Sequence, residues 1–242
     1  MKIRVGVIFG GRSVEHEVSI ISAIQAMQSL DSDKYEATAI YLTKDNDLFI
    51  GQDIGNIEAY KDIPALLKTS QRVIPVKENG RFLLAAYPHK VFGMKPVELD
   101  VMLPIVHGTN VEDGTLMGYI KTWGIPFAGC DVTSAAVGMD KYIMKTVFAD
   151  NEIPVLPCRR YTTKDYKNMD SMISDIEERL GYPVIVKPVN SGSSVGISVA
   201  HDKDGLIKSL DNAYTFANVI LVEHAISELQ EINCSVLGDM EK

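Results

Sequence analysis

The chain lacks the features of disulfide-rich and zinc-binding proteins. Only three of its 242 residues are cysteines, Cys130, Cys158 and Cys234, and none of them has C-x-x-C spacing. An odd number of widely separated cysteines predicts neither a disulfide framework nor a zinc site, and it favours a reducing compartment such as the cytoplasm.

Long apolar runs and an excess of basic residues are also lacking. No stretch reaches the roughly 18 consecutive apolar residues that predict a membrane-spanning helix. The 24 basic residues are outnumbered by 32 acidic ones, which gives a net charge of −8 and disfavours a nucleic-acid partner. The opening run "MKIRVGVIFGG" ends in Gly-Gly without a cleavage pattern, so it indicates a first strand rather than a signal peptide.

Strand-like runs alternate with helical patterns in the first half. "IRVGVIFG" precedes a helix from about Val14 to Leu30, then come "YEATAIYLT", "LDVMLPIVHG" and a helix over "GTLMGYIKTWG" that Gly124 and Pro126 end. This alternation predicts an α/β domain with a largely parallel sheet. Between residues 51 and 97 the clearest pattern is a strand, "FLLAAY".

The second half predicts further helices and strands. One helix is expected over "SAAVGMDKYIMKTVFADN" and another over "DYKNMDSMISDIEERLG", ending at Gly181. Strands are expected in "YPVIVKPV", "VGISVAH" and "ANVILVEHAIS", and one more is expected to begin in "EINCSVLGD".

The stretch "KPVNSGSSVGIS" joins two of these strands through a glycine- and serine-rich loop. Its Lys187 precedes the glycines, which is the reverse of the order in a P-loop. Backbone N–H groups and serine hydroxyls of such a flap can surround a phosphate while the lysine supplies charge. An ordinary hairpin with a surface lysine fits the pattern equally well.

The turn "FGGRSVEHEVS" lies where a strand passes into a helix, the usual ligand position in open α/β folds. Glu15 and Glu17 in the first helical turn would repel a phosphate, so this end suits a cation such as an amine. The alternative is that both are helix-start residues with Ser13 as the N-cap. That alternative is favoured for Glu17, whereas Glu15 is the better candidate for an amine contact.

Other polar residues stand at strand ends and helix starts. His107 follows an apolar strand, where a histidine can contact a substrate or serve only the turn. The Glu112-Asp113-Gly114 segment after it indicates turn chemistry. Lys141 begins a helix, for which solvation is the simpler explanation, and Glu223 ends a strand shortly before Glu231.

Six motifs in order resemble D-alanine–D-alanine ligases of the ATP-grasp superfamily. They are "GG.S.E.EVS", "HG...EDGT", "MDK", "IPV", "KP...GSSVGIS" and a glutamate followed by "E....VLG", and together they span nearly the whole chain. The resemblance implies a Rossmann-like pre-ATP-grasp domain over residues 1–128 and a central α+β ATP-grasp domain over 129–222. A third domain would begin at 223–242 and be truncated.

The resemblance also implies roles for individual residues. Glu15 would hold the ammonium of the first D-alanine with Ser193 positioning it as a catalytic pair, and Val18 and His107 would lie near that substrate. The residues implied to bind ATP are Lys141, Lys187, Ser193, Ser194, Val195, Gly196, Glu223, Ile226 and Glu231.

The implied activity is ATP-dependent formation of D-alanyl-D-alanine for peptidoglycan precursors by a cytoplasmic homodimer. D-Serine or D-lactate as second substrate, and a non-catalytic nucleotide-binding module, remain alternatives. The sequence departs from the family pattern at Val111 and Met117 and in the spacing from Glu223 to Glu231. The family's Mg²⁺ ligands would lie in a C-terminal part that these residues lack, so residues 1–242 alone are expected to be inactive.

Overall fold

The computed structural model describes residues 1–89, 93–236 and 238. The chain forms two compact units. Unit 1 comprises Met1–Val155 and Val189–Val195, and unit 2 comprises Leu156–Pro188 and Gly196–Lys242. The three-domain division expected from the sequence stays a prediction.

In its described residues, unit 1 contains a seven-stranded sheet and five α-helices. The strands are β1 (Ile3–Gly10), β2 (Tyr35–Leu42), β3 (Leu48–Ile50), β4 (Gln71–Glu78), β5 (Arg81–Ala86), β6 (Val97–Leu99) and β7 (Val101–Ile105). The helices are α1 (His16–Ser29), α2 (Ile63–Thr69), α3 (Thr115–Trp123), α4 (Val132–Met139) and α5 (Lys141–Asp150), with a 3₁₀ helix at Ile57–Asp62.

The sheet has the order β6-β5-β4-β3-β2-β1-β7. β1 pairs in parallel with β2 and β7, whereas the pairs from β2 to β6 are antiparallel. The predicted α/β class is confirmed, but the parallel part is limited to three strands. The segment 51–97, in which only "FLLAAY" was predicted as a strand, supplies β4, β5 and the first residue of β6. The short hairpin between β4 and β5 can join only antiparallel strands.

Alternate residues of β1 enter two different cores. Val5, Val7 and Phe9 pack with apolar residues of α1, and Ile8 faces the opposite way into a cluster that contains Leu116 and Ile120 of α3. This period of two follows from the pleat of a strand buried on both faces. Burial on both faces holds β1 in place. The turn that follows β1 is the first part of the candidate site.

Two helix boundaries in unit 1 differ from the sequence-based expectation. α1 begins at His16 rather than near Val14, and Glu15 occupies the N-cap position assigned to Ser13. The single helix predicted from Ser134 is two helices, α4 and α5. They meet at Asp140, whose extended backbone and carboxylate, accepting from the N–H groups of Tyr142 and Ile143, start α5.

Unit 2, as far as the structure describes it, is a four-stranded antiparallel sheet with helices. Its elements are β8 (Cys158–Thr162), α6 (Thr163–Tyr166), α7 (Met169–Arg179), β9 (Val184–Pro188), β10 (Ser198–Ala200), α8 (Lys203–Tyr214) and β11 (Val219–His224). The sheet order is β10-β9-β11-β8. Its core joins Val186 and Ile220 of the sheet to Ile176 of α7 and Leu210 of α8.

Two expectations for unit 2 are wrong in part. The helix predicted over residues 165–181 is divided into α6 and α7, because Thr162 and Asp165 form a capping box that starts a separate short helix. The strand expected in "EINCSVLGD" is not formed by residues 231–236, and residues 237 and 239 lie outside the described residues. In the described ranges no helix is both long and apolar enough to cross a membrane.

Candidate functional site

The turn after β1 brings the backbone unusually close to its neighbours. Gly10 and Gly11 have φ angles of 92° and 89°, a region that glycine enters without steric cost. A Cβ at Gly11 would lie 2.4 Å from Cγ1 of Val111, which is fully buried. Val111, a departure from the family pattern, therefore packs directly against this turn.

Glu15 lies at the end of this turn with its side chain held between loops of unit 1. The residue is 9% exposed, and its Oε1 accepts a hydrogen bond from the Ser193 hydroxyl. Cβ atoms at Gly108 and Gly192 would lie 2.7 Å and 2.6 Å from Oε2. The two glycines thus let the backbone approach a buried carboxylate, an arrangement suited to a small cationic group.

His107 and the following loop lie beside Glu15. The His107 Nε2 is 3.1 Å from the Ser22 hydroxyl of α1, so the ring is anchored to the helix that Glu15 begins. Glu112 accepts a bond of 2.9 Å from the Gly108 N–H, and Asp113 accepts bonds from two other N–H groups of the loop. These bonds agree with the interpretation that the two acidic residues stabilise the turn.

Glu17 differs from Glu15 although the two are only two residues apart. Its carboxylate is exposed and forms an ion pair of 3.0 Å with Lys44, whose hydrogen bond lowers the pKa of Glu17. The preference for a helix-start role at Glu17 agrees with this geometry.

Lys141 is the first residue of α5 and is tied to the flap loop, residues 189–197 between β9 and β10. Its Nζ donates a bond of 2.6 Å to the Ser191 carbonyl, and its backbone N–H donates to the Val189 carbonyl at 2.9 Å. Together with the Glu15–Ser193 bond, these contacts attach the first part of the flap loop to unit 1.

Three residues of the flap loop have positive φ angles. Ser193 and Ser194 are exposed and have φ angles of 46° and 57°, which are uncommon for residues with a side chain. Gly196 has a φ of 75°, and Val195 and Gly196 are partly buried. Successive N–H groups in such conformations can form a concave anion site.

Lys187 and Glu223 form an ion pair inside unit 2. The distance between Lys187 Nζ and Glu223 Oε1 is 2.5 Å, and the side chains are 23% and 5% exposed. β9 and β11 are antiparallel neighbours, which places the two residues close together. The attraction between the two opposite charges holds the two side chains together.

The other sequence-predicted residues are placed at the surface. Val18 is 48% exposed on α1 and Ile226 is 50% exposed after β11, and Glu231 is exposed. Their proposed roles stay predictions. The sequence-based prediction did not include Gly108 and Gly192 as neighbours of Glu15. Their position in motif loops could have indicated a close approach of the backbone to a side chain. The prediction also missed the buried His16, which directly follows Glu15.

A magnesium ion needs a particular set of oxygen ligands. Magnesium is held by carboxylates together with phosphate oxygens and water. Within residues 1–89, 93–236 and 238 no group of three or more histidine, cysteine or acidic residues is arranged to hold a metal ion. These residues do not fit a magnesium site.

Two family models match the chain in sequence. The model for the D-ala D-ala ligase N-terminus matches residues 4–130, and the model for the D-ala D-ala ligase C-terminus matches residues 147–242.

The chain belongs to the D-ala D-ala ligase family.

Individual members of the family support the assignment. A D-alanine--D-alanine ligase of Thermosipho melanesiensis is 37% identical over 98% of this chain and 63% of its own length. A D-alanine-D-alanine ligase structure from Coxiella burnetii has a TM-score of 0.80 at 25% identity, covering 93% of this chain and 62% of that one. The VanG D-Ala:D-Ser ligase of Enterococcus faecalis has a TM-score of 0.76 at 28% identity, covering 94% and 64%.

The chain therefore spans less than two thirds of the length of these ligases. Glu15 and His107 lie in the part of the chain that the N-terminal family model matches. Lys187, Ser193 and Glu223 fall in the part matched by the C-terminal model, and Lys141 lies between the two matched ranges. The resemblance drawn from six short motifs is confirmed at the level of family and ATP-grasp fold.

Proposed function

We propose that the protein carrying this chain joins two D-alanines to D-alanyl-D-alanine at the expense of ATP, as a step towards peptidoglycan. The observation that carries this proposal is the buried Glu15 carboxylate, held by Ser193 and approached by two glycine loops. A buried negative charge is stable when a cation pairs with it, and the ammonium of an amino acid is such a cation. The proposal also rests on family membership.

The reaction would proceed in two steps. A carboxylate oxygen of the first D-alanine attacks the γ-phosphorus of ATP, forming an O–P bond while the bond to the ADP oxygen breaks. The amine of the second D-alanine then attacks the acylphosphate carbonyl. A C–N bond forms, phosphate leaves with the C–O electron pair, and the amine loses a proton. Catalysis of such steps depends on positioning and on neutralising charge.

Two groups of residues would contribute to these steps. In unit 1, Glu15 would hold the first ammonium, Ser193 would orient Glu15, and His107 and Val18 would line the substrate site. The residues proposed to bind ATP are Lys141, Lys187, Ser193, Ser194, Val195, Gly196, Glu223, Ile226 and Glu231. Lysines and the N–H groups of the flap loop favour phosphate, whereas Glu15 disfavours it, which supports this division of tasks.

Substrate titrations followed by NMR test the division directly. Adding D-alanine to the ¹⁵N-labelled chain should shift resonances of Glu15, His107 and Ser193, and a non-hydrolysable ATP analogue should shift those of Lys141, Lys187 and residues 193–196. L-Alanine serves as the matched control and should shift them less. A D-alanine titration that leaves the Glu15 region unchanged would contradict the proposed substrate site.

A ligase that accepts D-serine second is a specific alternative, favoured by the likeness to the VanG D-Ala:D-Ser ligase. D-Lactate as second substrate, or nucleotide binding without catalysis, would fit the same residues. Mass spectrometry of products formed by the natural protein from D-alanine, D-serine and D-lactate in competition, with ATP and Mg²⁺, separates these outcomes. D-Alanyl-D-serine as main product would replace the proposed function, and absence of any product would indicate a binding module.

We propose that the protein works in the cytoplasm as a homodimer. Its three cysteines form no disulfide in the described residues, which suits a reducing compartment, and the resemblance to the family suggests the dimer. Cell fractionation with an antibody tests the first expectation. Light scattering of the purified natural protein tests the second, and a mass equal to one chain would contradict it.

A further inference from the structure

His16 is a buried titratable residue to which the proposed function assigns no role. Its side chain is fully buried at the start of α1, directly after Glu15. The Nδ1 atom is 2.7 Å from the Gly11 carbonyl, and the Nε2 atom is 2.9 Å from the Tyr41 hydroxyl. Both ring nitrogens are therefore used.

The partners of His16 determine its tautomer. A carbonyl oxygen can only accept, so Nδ1 carries the hydrogen and donates it to Gly11. Nε2 then accepts from the Tyr41 hydroxyl. Burial raises the pKa of Tyr41 to about 12, so this hydroxyl keeps its proton and remains a donor at neutral pH. The order Tyr41, His16, Gly11 is a directed chain of hydrogen bonds.

The Gly11 carbonyl, at which the directed chain ends, is connected to Glu15 by two further hydrogen bonds. The Gly11 carbonyl also accepts the Ser13 N–H at 3.0 Å, and the Ser13 hydroxyl accepts the Glu15 N–H at 3.1 Å. A Cβ at Gly10 would be 3.2 Å from the His16 ring and 2.4 Å from the Leu42 carbonyl, so the turn is packed tightly against its neighbours. Buried polar groups that are fully bonded make a turn rigid and unique.

We propose that His16 is a positioning residue, which fixes the turn of residues 10–15 and thereby the Glu15 carboxylate for the substrate ammonium. The inference rests on the proposed role of Glu15. Tyr41 acts with His16, because its O–H donates to Nε2 and leaves Nδ1 as the donor to Gly11. Small displacements of a substrate-binding group reduce binding and rate strongly, which makes such a support functionally important.

Four variants of the chain test the inference. His16→Phe keeps a flat ring and removes both bonds, whereas His16→Asn keeps a donor at the position of Nδ1. Tyr41→Phe removes only the O–H donor. Tyr60→Phe is the matched control, because Tyr60 is a partly buried neighbour of Tyr41 whose hydroxyl bonds Ile54 and not the turn.

The first measurement is independent of any substrate. ¹⁵N NMR of the wild-type chain should show His16 with hydrogen on Nδ1. Hydrogen exchange of the Ser13 and Glu15 amides should accelerate about tenfold or more in His16→Phe, since the loss of one hydrogen bond commonly changes an opening equilibrium by that factor. It should accelerate less in His16→Asn and remain unchanged in Tyr60→Phe.

The second measurement is D-alanine affinity by NMR titration. We expect it to fall about tenfold or more in His16→Phe, to be largely restored in His16→Asn, and to be intermediate in Tyr41→Phe, with affinity for the ATP analogue unchanged. Thermal melting of each variant reports general destabilisation. A His16→Phe chain with wild-type amide exchange would overturn the inference.

The two measurements separate the inference from the proposed function. If the wild-type chain binds no D-alanine while His16→Phe loosens the Ser13 and Glu15 amides, the turn-fixing role stands and the proposed substrate is wrong. If D-alanine binds equally well to the wild type and His16→Phe, Glu15 binds substrate but His16 does not position it.

Discussion

Glu15 and Glu17 occupy one helical turn, yet only Glu15 is enclosed by loops. We predict that Glu15→Gln weakens D-alanine binding by about 10- to 100-fold, because a charge-assisted hydrogen bond is lost, and leaves affinity for an ATP analogue nearly unchanged. Glu17→Gln is the control, since its carboxylate is exposed and pairs with Lys44. Calorimetric titration of both ligands checks this. Equal losses for D-alanine and the ATP analogue would exclude the assigned role of Glu15.

Asp175 of α7 accepts hydrogen bonds from three side chains of unit 2. It accepts bonds from Arg159, Tyr161 and Arg179, and the Arg159 and Tyr161 bonds are the main reasons why its pKa lies well below 3.8. The folded-state pKa is depressed, so the stabilisation is complete above about pH 3.8 and declines as the pH falls below that value.

Asp175→Asn should therefore destabilise the fold by about 1 to 3 kcal/mol near neutral pH, and the difference from wild type should shrink in acid. Urea unfolding at a series of pH values measures this. Glu178→Gln, at an exposed position of the same helix, should have little effect at any pH. A difference that stays constant down to the acid limit would show that the carboxylate charge is not involved.

At the scale of elements, Gly196 of the flap loop combines a positive φ angle with close packing. Gly196 has a φ of 75°, and a Cβ there would lie 2.8 Å from both Phe216 and Pro188. Gly80, in the β4–β5 turn, has a similar φ of 77° but open space around it. At both positions a residue with a side chain would be strained by the positive φ angle, but only at Gly196 would its Cβ also meet close neighbours.

We predict that Gly80→Ala costs about 1 kcal/mol of stability and that Gly196→Ala costs at least about 1 kcal/mol more, because overpacking is added to strain. Urea unfolding of the two single variants gives the comparison. Equal costs would mean that the flap loop moves away from Phe216 at little energy, and that Gly196 is required for its φ angle alone.

The elements also show what the sequence could predict. β1, β2, β9 and β11 were predicted because β-branched runs bounded by turn residues are local signals. The break between α4 and α5 was missed since an aspartate inside an apolar helical pattern is tolerated, and only its bonds to Tyr142 and Ile143 reveal a cap. β4 and β6 were missed because their pairing, not their composition, makes them strands.

Candidate site residues divide in the same way. Glu15 and Lys187 were candidates because of the residues around them and their place at helix and strand ends, and Lys141 was a candidate through the family resemblance; their roles stay predictions. The bond from Ser193 to Glu15 joins residues 178 positions apart, and here only the family resemblance suggested it. His16 was overlooked because a single histidine in a helical pattern carries no local sign that it is buried and bonded on both nitrogens.

At the scale of the whole molecule, Cys130, Cys158 and Cys234 form no disulfide in the part of the chain that the structure describes. We predict that a reducing agent leaves the melting temperature unchanged, because no crosslink restrains the unfolded chain. Ellman's reagent should react first with the exposed Cys130 and Cys234 and more slowly with the partly buried Cys158. A melting temperature that falls on reduction would reveal a disulfide, and with it an oxidising environment for the protein.

Unit 1 is discontinuous in the chain, and this affects how it is made. A ribosome adds about 5 to 20 residues per second, so Ser193 is synthesised about 10 to 40 s after Glu15. Throughout that interval the nascent N-terminal segment has the glutamate without its serine. The Glu15–Ser193 pair is therefore completed late in biosynthesis, when β9 has already been synthesised and residues 189–195 return to the first unit.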